Sequence, residues 1–162
     1  MAMENLRGTS KMKTSQEIEP DALSSISLFL RGDNMRHSFV TKALGCAPDR
    51  FWQRGEEKAS KSGAITVRKT GFWCISQVNK NTRLNESVES LLARLRTTKN
   101  LFSIIEDLEE AELSIFLAQD CRENEGGKLS IFFPASTLKT IANLGVELSF
   151  DISFIAEPSA VR

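Results

Sequence analysis

The chain has no tyrosine, one histidine (His37), three cysteines and four prolines in 162 residues. Each shortage removes a class of chemistry. With one histidine, on the polar stretch Arg36-His37-Ser38, a serine or cysteine nucleophile lacks its usual base. No G-x-S-x-G elbow is present either. Zinc asks for Cys, His or carboxylates clustered at ligand spacing, and no two cysteines lie within four residues, so no metal and no cofactor are expected. Neither G-x-G-x-x-G nor G-x-x-x-x-G-K-[ST] occurs, which leaves no phosphate loop. Cys46, Cys74 and Cys121 form an odd, irregularly spaced set, so a disulfide framework is not expected. Their small or apolar neighbours suit buried free thiols.

Excess charge is missing as well. Lys plus Arg equals Asp plus Glu, 21 each, so no bulk field draws the chain to nucleic acid or to a membrane, and neither is an expected partner. No apolar run approaches the length of a bilayer span. Met1 to Pro20 carries charges throughout without an apolar core, so no secretory signal is apparent and a reducing cytoplasm is the expected home.

What the chain does have is phenylalanine, ten of them, and two tryptophans, each beside a phenylalanine: Phe51-Trp52 and Phe72-Trp73. Aromatics without a phenolic hydroxyl suit packing, and large ones serve either a core or a contact face. Residues 1–22 are polar and lack periodicity, which reads as a flexible arm. Residues 23–157 read as one domain and 158–162 as a frayed tail.

Ile26, Leu28 and Leu30 alternate in an opening strand. Gly32-Asp33-Asn34 turns the chain, with Asp33 or Asn34 placed to cap a helix that carries Met35, Phe39, Val40, Ala43 and Leu44 and stops at Gly45. Ala64 to Gln77 is extended and broken at Gly71, as one bulged strand or a tight hairpin. Val88, Leu91, Leu92 and Leu95 make one helical stripe, and Leu101, Ile104, Ile105 and Leu108 a second. Leu113, Ile115 and Leu117 alternate in a strand; Asn124-Glu125-Gly126-Gly127 predicts a hairpin turn, and Leu129, Ile131 and Phe133 the returning strand. A short helix from Pro134 to Gly145 leads to the cleanest alternation, Val146 to Phe154. The expected architecture is α+β: a single domain with a mixed or antiparallel sheet of about five strands and helices packed mainly on one face.

Charge is unevenly spread. Glu106, Asp107, Glu109, Glu110, Glu112, Asp120, Glu123 and Glu125 cluster against Arg122 alone. Such a run is either a solvated surface or a face that steers a basic partner such as a nuclease. Basic residues interleave with Trp52 and Trp73, but Glu56 and Glu57 interrupt them and no RNP-like pattern of stacking aromatics is present. Asp151 sits mid-strand, on the wet face by its period-two kinship with Ser149 and Ser153.

The helix ending in Gly-x-x-Pro-Asp-x-x-Trp-x-x-Gly-Glu (Gly45, Pro48, Asp49, Trp52, Gly55, Glu56), the following Thr70-Gly71 with Trp73, and the late Leu144-Gly145 with Asp151 resemble a bacterial family, domain of unknown function 4279. The likeness runs from about residue 25 to 154. Small stand-alone proteins of this kind resemble immunity proteins that accompany contact-dependent or polymorphic toxins. The resemblance implies a non-enzymatic inhibitor whose partner is the C-terminal domain of a cognate toxin, bound by stoichiometric occlusion. On that view Trp52, Trp73 and the acids from Glu106 to Glu125 are the partner-binding candidates. The competing expectation is a small-ligand or enzymatic pocket around Trp52, Arg54, Glu56 and Asp151.

Overall fold

The first strand, β1 (Leu23–Gly32), becomes the centre of the molecule. The computed structural model describes residues 23–80, 83–97, 99–120 and 131–155. After β1 come α1 (His37–Leu44), β2 (Arg50–Trp52), β3 (Glu57–Ala59), β4 (Ile65–Val67), β5 (Gly71–Lys80), α2 (Leu84–Ala93), β6 (Glu110–Asp120), α3 (Ala135–Leu144) and β7 (Glu147–Ile155). Five strands form one sheet in the order β2-β5-β1-β6-β7. Its neighbours are antiparallel except β6 and β7, which run parallel through the α3 crossover. The small hairpin β3-β4 stands apart as a second sheet. The fold is α+β with a mixed sheet, in a single domain, as the periodicities predict.

Register sorts the side chains onto two faces. Ile26, Leu28 and Leu30 line up with Ile115, Leu113 and Ala111 of β6, and Leu30 and Leu28 with Trp73 and Ile75 of β5. This face is covered by α1 through Val40 and Leu44, by α2 through Val88 and Leu91, and by α3 through Ile141 and Leu144. Fully burying each such aliphatic side chain contributes about 1.5–3 kcal/mol. The opposite face carries Arg50, Trp52, Phe72, Phe29, Arg31, Glu110, Glu112, Ser149 and Asp151 by the same register, and among the described residues no helix packs on it.

Several expectations are corrected. Ile131 to Phe133 form no strand; β6 is followed in the sheet by β7 instead. Ile131 and Phe133 alternate because both rest on the core, so their period reports one-sided burial rather than ladder pairing. The second helical stripe is only a 3-10 turn at Leu101–Ser103, opened by the Asn100 side chain accepting the Phe102 N–H at 2.9 Å. Leu101 and Ile105 are still buried. The first helix starts at His37 with Arg36 as an extended N-cap and no side-chain cap, and Asp33 pairs with Arg54 instead. Ala64 to Gln77 is neither a bulged strand nor a hairpin of its own: β4 pairs back to β3, and β5 joins the main sheet. The terminal arm and tail, the turn at 124–127, Leu129, Cys121, Glu123 and Glu125 lie outside the described residues.

Candidate functional site

The tract from Gly45 to Trp73 folds into a rim along one sheet edge, and each of its motif residues has a mechanical task. The chain leaves α1 through Gly45, whose N–H reaches the Thr41 carbonyl at 2.9 Å. Half-buried Pro48 then leads into β2. Asp49 ties three elements together. Its Oδ2 accepts the Ser76 N–H at 2.6 Å and faces Arg94 Nη1 at 3.4 Å, while its own N–H donates to the Cys74 carbonyl at 2.8 Å. The Ser76 hydrogen bond, helped by Arg94, holds the Asp49 carboxyl below its ordinary value.

The sign follows from linkage. A depressed carboxylate stabilises the fold above its unfolded value of 3.8, and that contribution is lost as pH falls towards the folded value. Asp49→Asn is therefore expected to lower Tm at neutral pH by an amount that shrinks below pH 3.8. Thermal unfolding of both proteins across acid pH checks this, and a gap independent of pH would refute it.

Trp52 stacks on Phe72 with centroids 4.0 Å apart and planes 14° apart, and the Arg68 guanidinium lies 4.0 Å from its ring centroid. Both faces of the ring are thus occupied, so Trp52 offers no bare platform for stacking. Beyond it, Gly55 takes φ +83° at the third position of a tight turn, with the Glu56 N–H bonded to the Gln53 carbonyl at 3.2 Å. The Glu56 carboxylate reaches back to the Gln53 N–H at 3.1 Å. Trp73 lies on the opposite face, wholly buried, its indole N–H donating to Thr41 Oγ1 at 3.1 Å. Of the two roles open to it, the structure shows core.

Between Trp52 and Thr70 the chain projects as an arm. The Gly55 N–H bonds the Arg68 carbonyl at 2.8 Å and the Arg68 N–H bonds the Glu56 carbonyl at 2.9 Å, extending the β3-β4 ladder to its base. Every residue from 53 to 67 is exposed. Pairing Glu57 with Val67 and Ala59 with Ile65 puts Glu57, Ala59, Ile65 and Val67 on one face, Ile65 and Val67 being 66% and 53% exposed, and leaves Lys58 with Thr66 on the other. Of the arm's cations, Arg54 pairs with Asp33 and Arg68 lies over Trp52, while Lys58, Lys61 and Lys69 are exposed. This face is the feature that sequence reading missed. Its signal is Ile65-x-Val67 following the turn residues Ser60 to Gly63, a hairpin pattern overshadowed by the longer β5 run.

The acidic candidates do not form one surface. Glu109 accepts the Asp33 N–H at 3.1 Å, and Glu110 pairs with Arg31. Glu112 lies 3.8 Å from Arg31 and also accepts the Ser149 hydroxyl. Glu106 and Asp107 line a cleft of about 600 Å³ with Asn34, Arg36, Ser38, Phe39 and Lys42, so acids and bases mix there. Asp120 ends β6. The pocket expected around Trp52, Arg54, Glu56 and Asp151 is not assembled. Trp52 belongs to β2 and Asp151 to β7, at opposite edges of the sheet, roughly 19 Å apart at the usual strand spacing. Asp151 is exposed beside Ser149 and Ser153, on the wet face as expected.

Burial raises the thiol pKa of Cys46, and that of Cys74 despite Arg50 beside it, so both stay protonated at neutral pH. His37 stacks on Phe51 at 4.2 Å and approaches Gln53. Among the described residues no group of three or more His, Cys, Asp or Glu could hold a metal ion. None of the described helices is long and apolar enough to cross a membrane.

The family model described as domain of unknown function (DUF4279) matches residues 22–154. The chain belongs to this family. The match takes in every described strand and helix but the last residue of β7, so the DUF4279 unit and the folded sheet are the same object. No curated protein and no solved structure matches the chain. Within this DUF4279 unit the tract from Gly45 to Trp73 is the scaffold of one sheet edge and the base of the arm.

Proposed function

We propose that this protein is a stoichiometric inhibitor, an immunity protein that neutralises the C-terminal domain of a cognate bacterial toxin, and that the β3-β4 arm is its principal contact. One observation carries the reading. A projecting two-stranded hairpin is marginal by itself, yet this one exposes Ala59, Ile65 and Val67 together on one face, with Glu57 beside them. A partner cleft with an apolar floor complements that face and would be occluded by it. The acids Glu106 and Asp107 line the α1 cleft, whose neighbours Asp33 and His37 contact Arg54 and Gln53 at the base of the arm, and would act on a basic part of the partner's surface. The cytoplasm, where such an inhibitor meets its toxin, is the proposed location.

The test pairs Ile65→Asp and Val67→Asp in one variant. Both residues are exposed, so global stability is expected to fall by no more than about 1 kcal/mol per site, the Val67→Asp cost including the like charge of Glu57 across the ladder. Affinity for the partner recovered with the wild-type chain and identified by mass spectrometry should fall by at least about 30-fold. Wild-type protein should abolish the partner's toxic activity at one-to-one stoichiometry. A partner whose activity is untouched overturns the inhibitor reading, and undiminished binding by the double variant overturns the role of the arm.

A further inference from the structure

At the other end of the sheet, β7 presents a different kind of surface. It is the terminal strand in the order β2-β5-β1-β6-β7, so among the described residues its outer edge has no ladder partner. It is also long, from Glu147 to Ile155, without proline, lysine or arginine to blunt the edge. On its helix side Phe150 and Ile152 remain 39% and 42% exposed, although the equivalent residues of β6, Ile115 and Leu117, are buried. Phe133 reaches Phe150 with centroids 6.1 Å apart but leaves it partly uncovered.

We infer that β7 pairs antiparallel with β7 of a second copy of this chain, joining two sheets into one of twice the width about a two-fold axis at Phe150. The occupant follows from the register. A two-fold perpendicular to the sheet keeps helix faces on one side, so opposed residues share a face and the axis passes through one residue pair. An axis at Asp151 sets two carboxylates opposite each other, and one at Ser149 sets Glu147 opposite Asp151; both are unfavourable. An axis at Ile152 pairs as many residues, but it sets Ser149 opposite Ile155 and leaves the acid Glu147 without a hydroxyl opposite it. At Phe150 the seven residues from Glu147 to Ser153 all match, and only Phe154 and Ile155 run past the start of the partner strand. Phe150 meets its own copy and Leu148 meets Ile152 on the helix face, while Asp151 meets Ser149 and Glu147 meets Ser153 on the other. The strand is self-complementary in that register, with apolar against apolar and each acid against a hydroxyl.

Two sets of variants of the full chain test this without relying on any toxin. Opposed Cα atoms of an antiparallel pair lie about 4.5–5.5 Å apart, within disulfide reach. Phe150→Cys should therefore yield a disulfide-linked dimer on mild oxidation, above the background of the wild-type thiols. Asp151→Cys, set about 8 Å from its counterpart in this register, should link far less. Because Phe150 also rests on Phe133, the exposed Ser153 supplies an independent arm. Ser153→Glu faces Glu147 of the second copy at two symmetric places and should weaken dimerisation by up to about 30-fold, whereas Ser153→Lys should strengthen it by a similar factor. Sedimentation from about 1 to 100 µM reads both, with wild-type protein moving from a mass of 18.1 kDa towards twice that value. A wild-type monomer throughout, equal linking of both cysteine variants, or Ser153 variants that do not diverge would overturn the proposal. So would binding of a different protein at this edge by a chain that is monomeric alone.

Discussion

Gly32→Ala is expected to destabilise the protein by about 3 kcal/mol and to lower Tm by roughly 6–12 °C. A Cβ on Gly32 would lie 2.0 Å from the Asp107 carbonyl oxygen and 3.2 Å from Met35 Cβ. The obstacle is backbone, and it cannot rotate away as a side-chain end would. Asp107 has φ +59°, and two residues on, the Glu109 N–H bonds the Arg31 carbonyl at 2.9 Å, so the loop is seated on β1 where Gly32 leaves room. Gly71, paired with Gly32 across the ladder, serves the same crowded corner, since a Cβ there would stand 2.6 Å from the Gly32 carbonyl oxygen. Gly55→Ala is the control. Nothing lies within 4 Å of its Cβ position, so only its positive φ is penalised, at about 1–2 kcal/mol. Thermal denaturation followed by circular dichroism compares them. Equal costs would mean that the Asp107 loop shifts freely, contrary to the seated geometry.

Trp73→Ala is expected to cost about 4 kcal/mol, a large share of the roughly 5–15 kcal/mol that holds a domain folded. Trp73 is the largest of the fully buried side chains and touches the helix side of the sheet, where its removal opens a cavity between β5 and α1. Trp73→Phe keeps much of the ring but withdraws the donor from Thr41, for about 1–2 kcal/mol. Trp52→Ala should also cost only about 1–2 kcal/mol. Its ring is half-buried, and the stacking on Phe72 and Arg68 is all that is forfeited. Denaturant midpoints of the three variants should therefore place Trp73→Ala well below the others. A Trp52 variant as damaging as Trp73→Ala would show that the rim, not the core, organises this edge.

These two tryptophans show how far sequence reading reaches. Phe51-Trp52 and Phe72-Trp73 look alike in the chain, yet antiparallel pairing sets Phe51 against Trp73 and Trp52 against Phe72. That pairing sends one tryptophan to each face, and its register depends on residues twenty positions apart. The acidic cluster behaves similarly. Its density is plain in the sequence, but Arg31, about eighty residues away, pairs with Glu110 and lies close to Glu112, so part of that negative charge is offset by a cation the local sequence does not show. The arm escaped notice because Ile65 and Val67 alternate like a sheet strand, and alternation does not say whether anything lies on the apolar side.

By itself the sequence determined the α+β class, the apolar faces of β1, β6 and β7, the family, and the want of disulfide, phosphate-loop and zinc signatures. All of these rest on composition, spacing or local periodicity, which short stretches of chain carry. The tertiary structure alone decided that β6 and β7 run parallel, that Trp73 is core while Trp52 is rim, that Asp151 is a sheet's width from Trp52, and that Gly32 must be glycine. Periodicity records which face of an element is apolar. Which distant segment covers it, and in what register, is settled only when the strands meet.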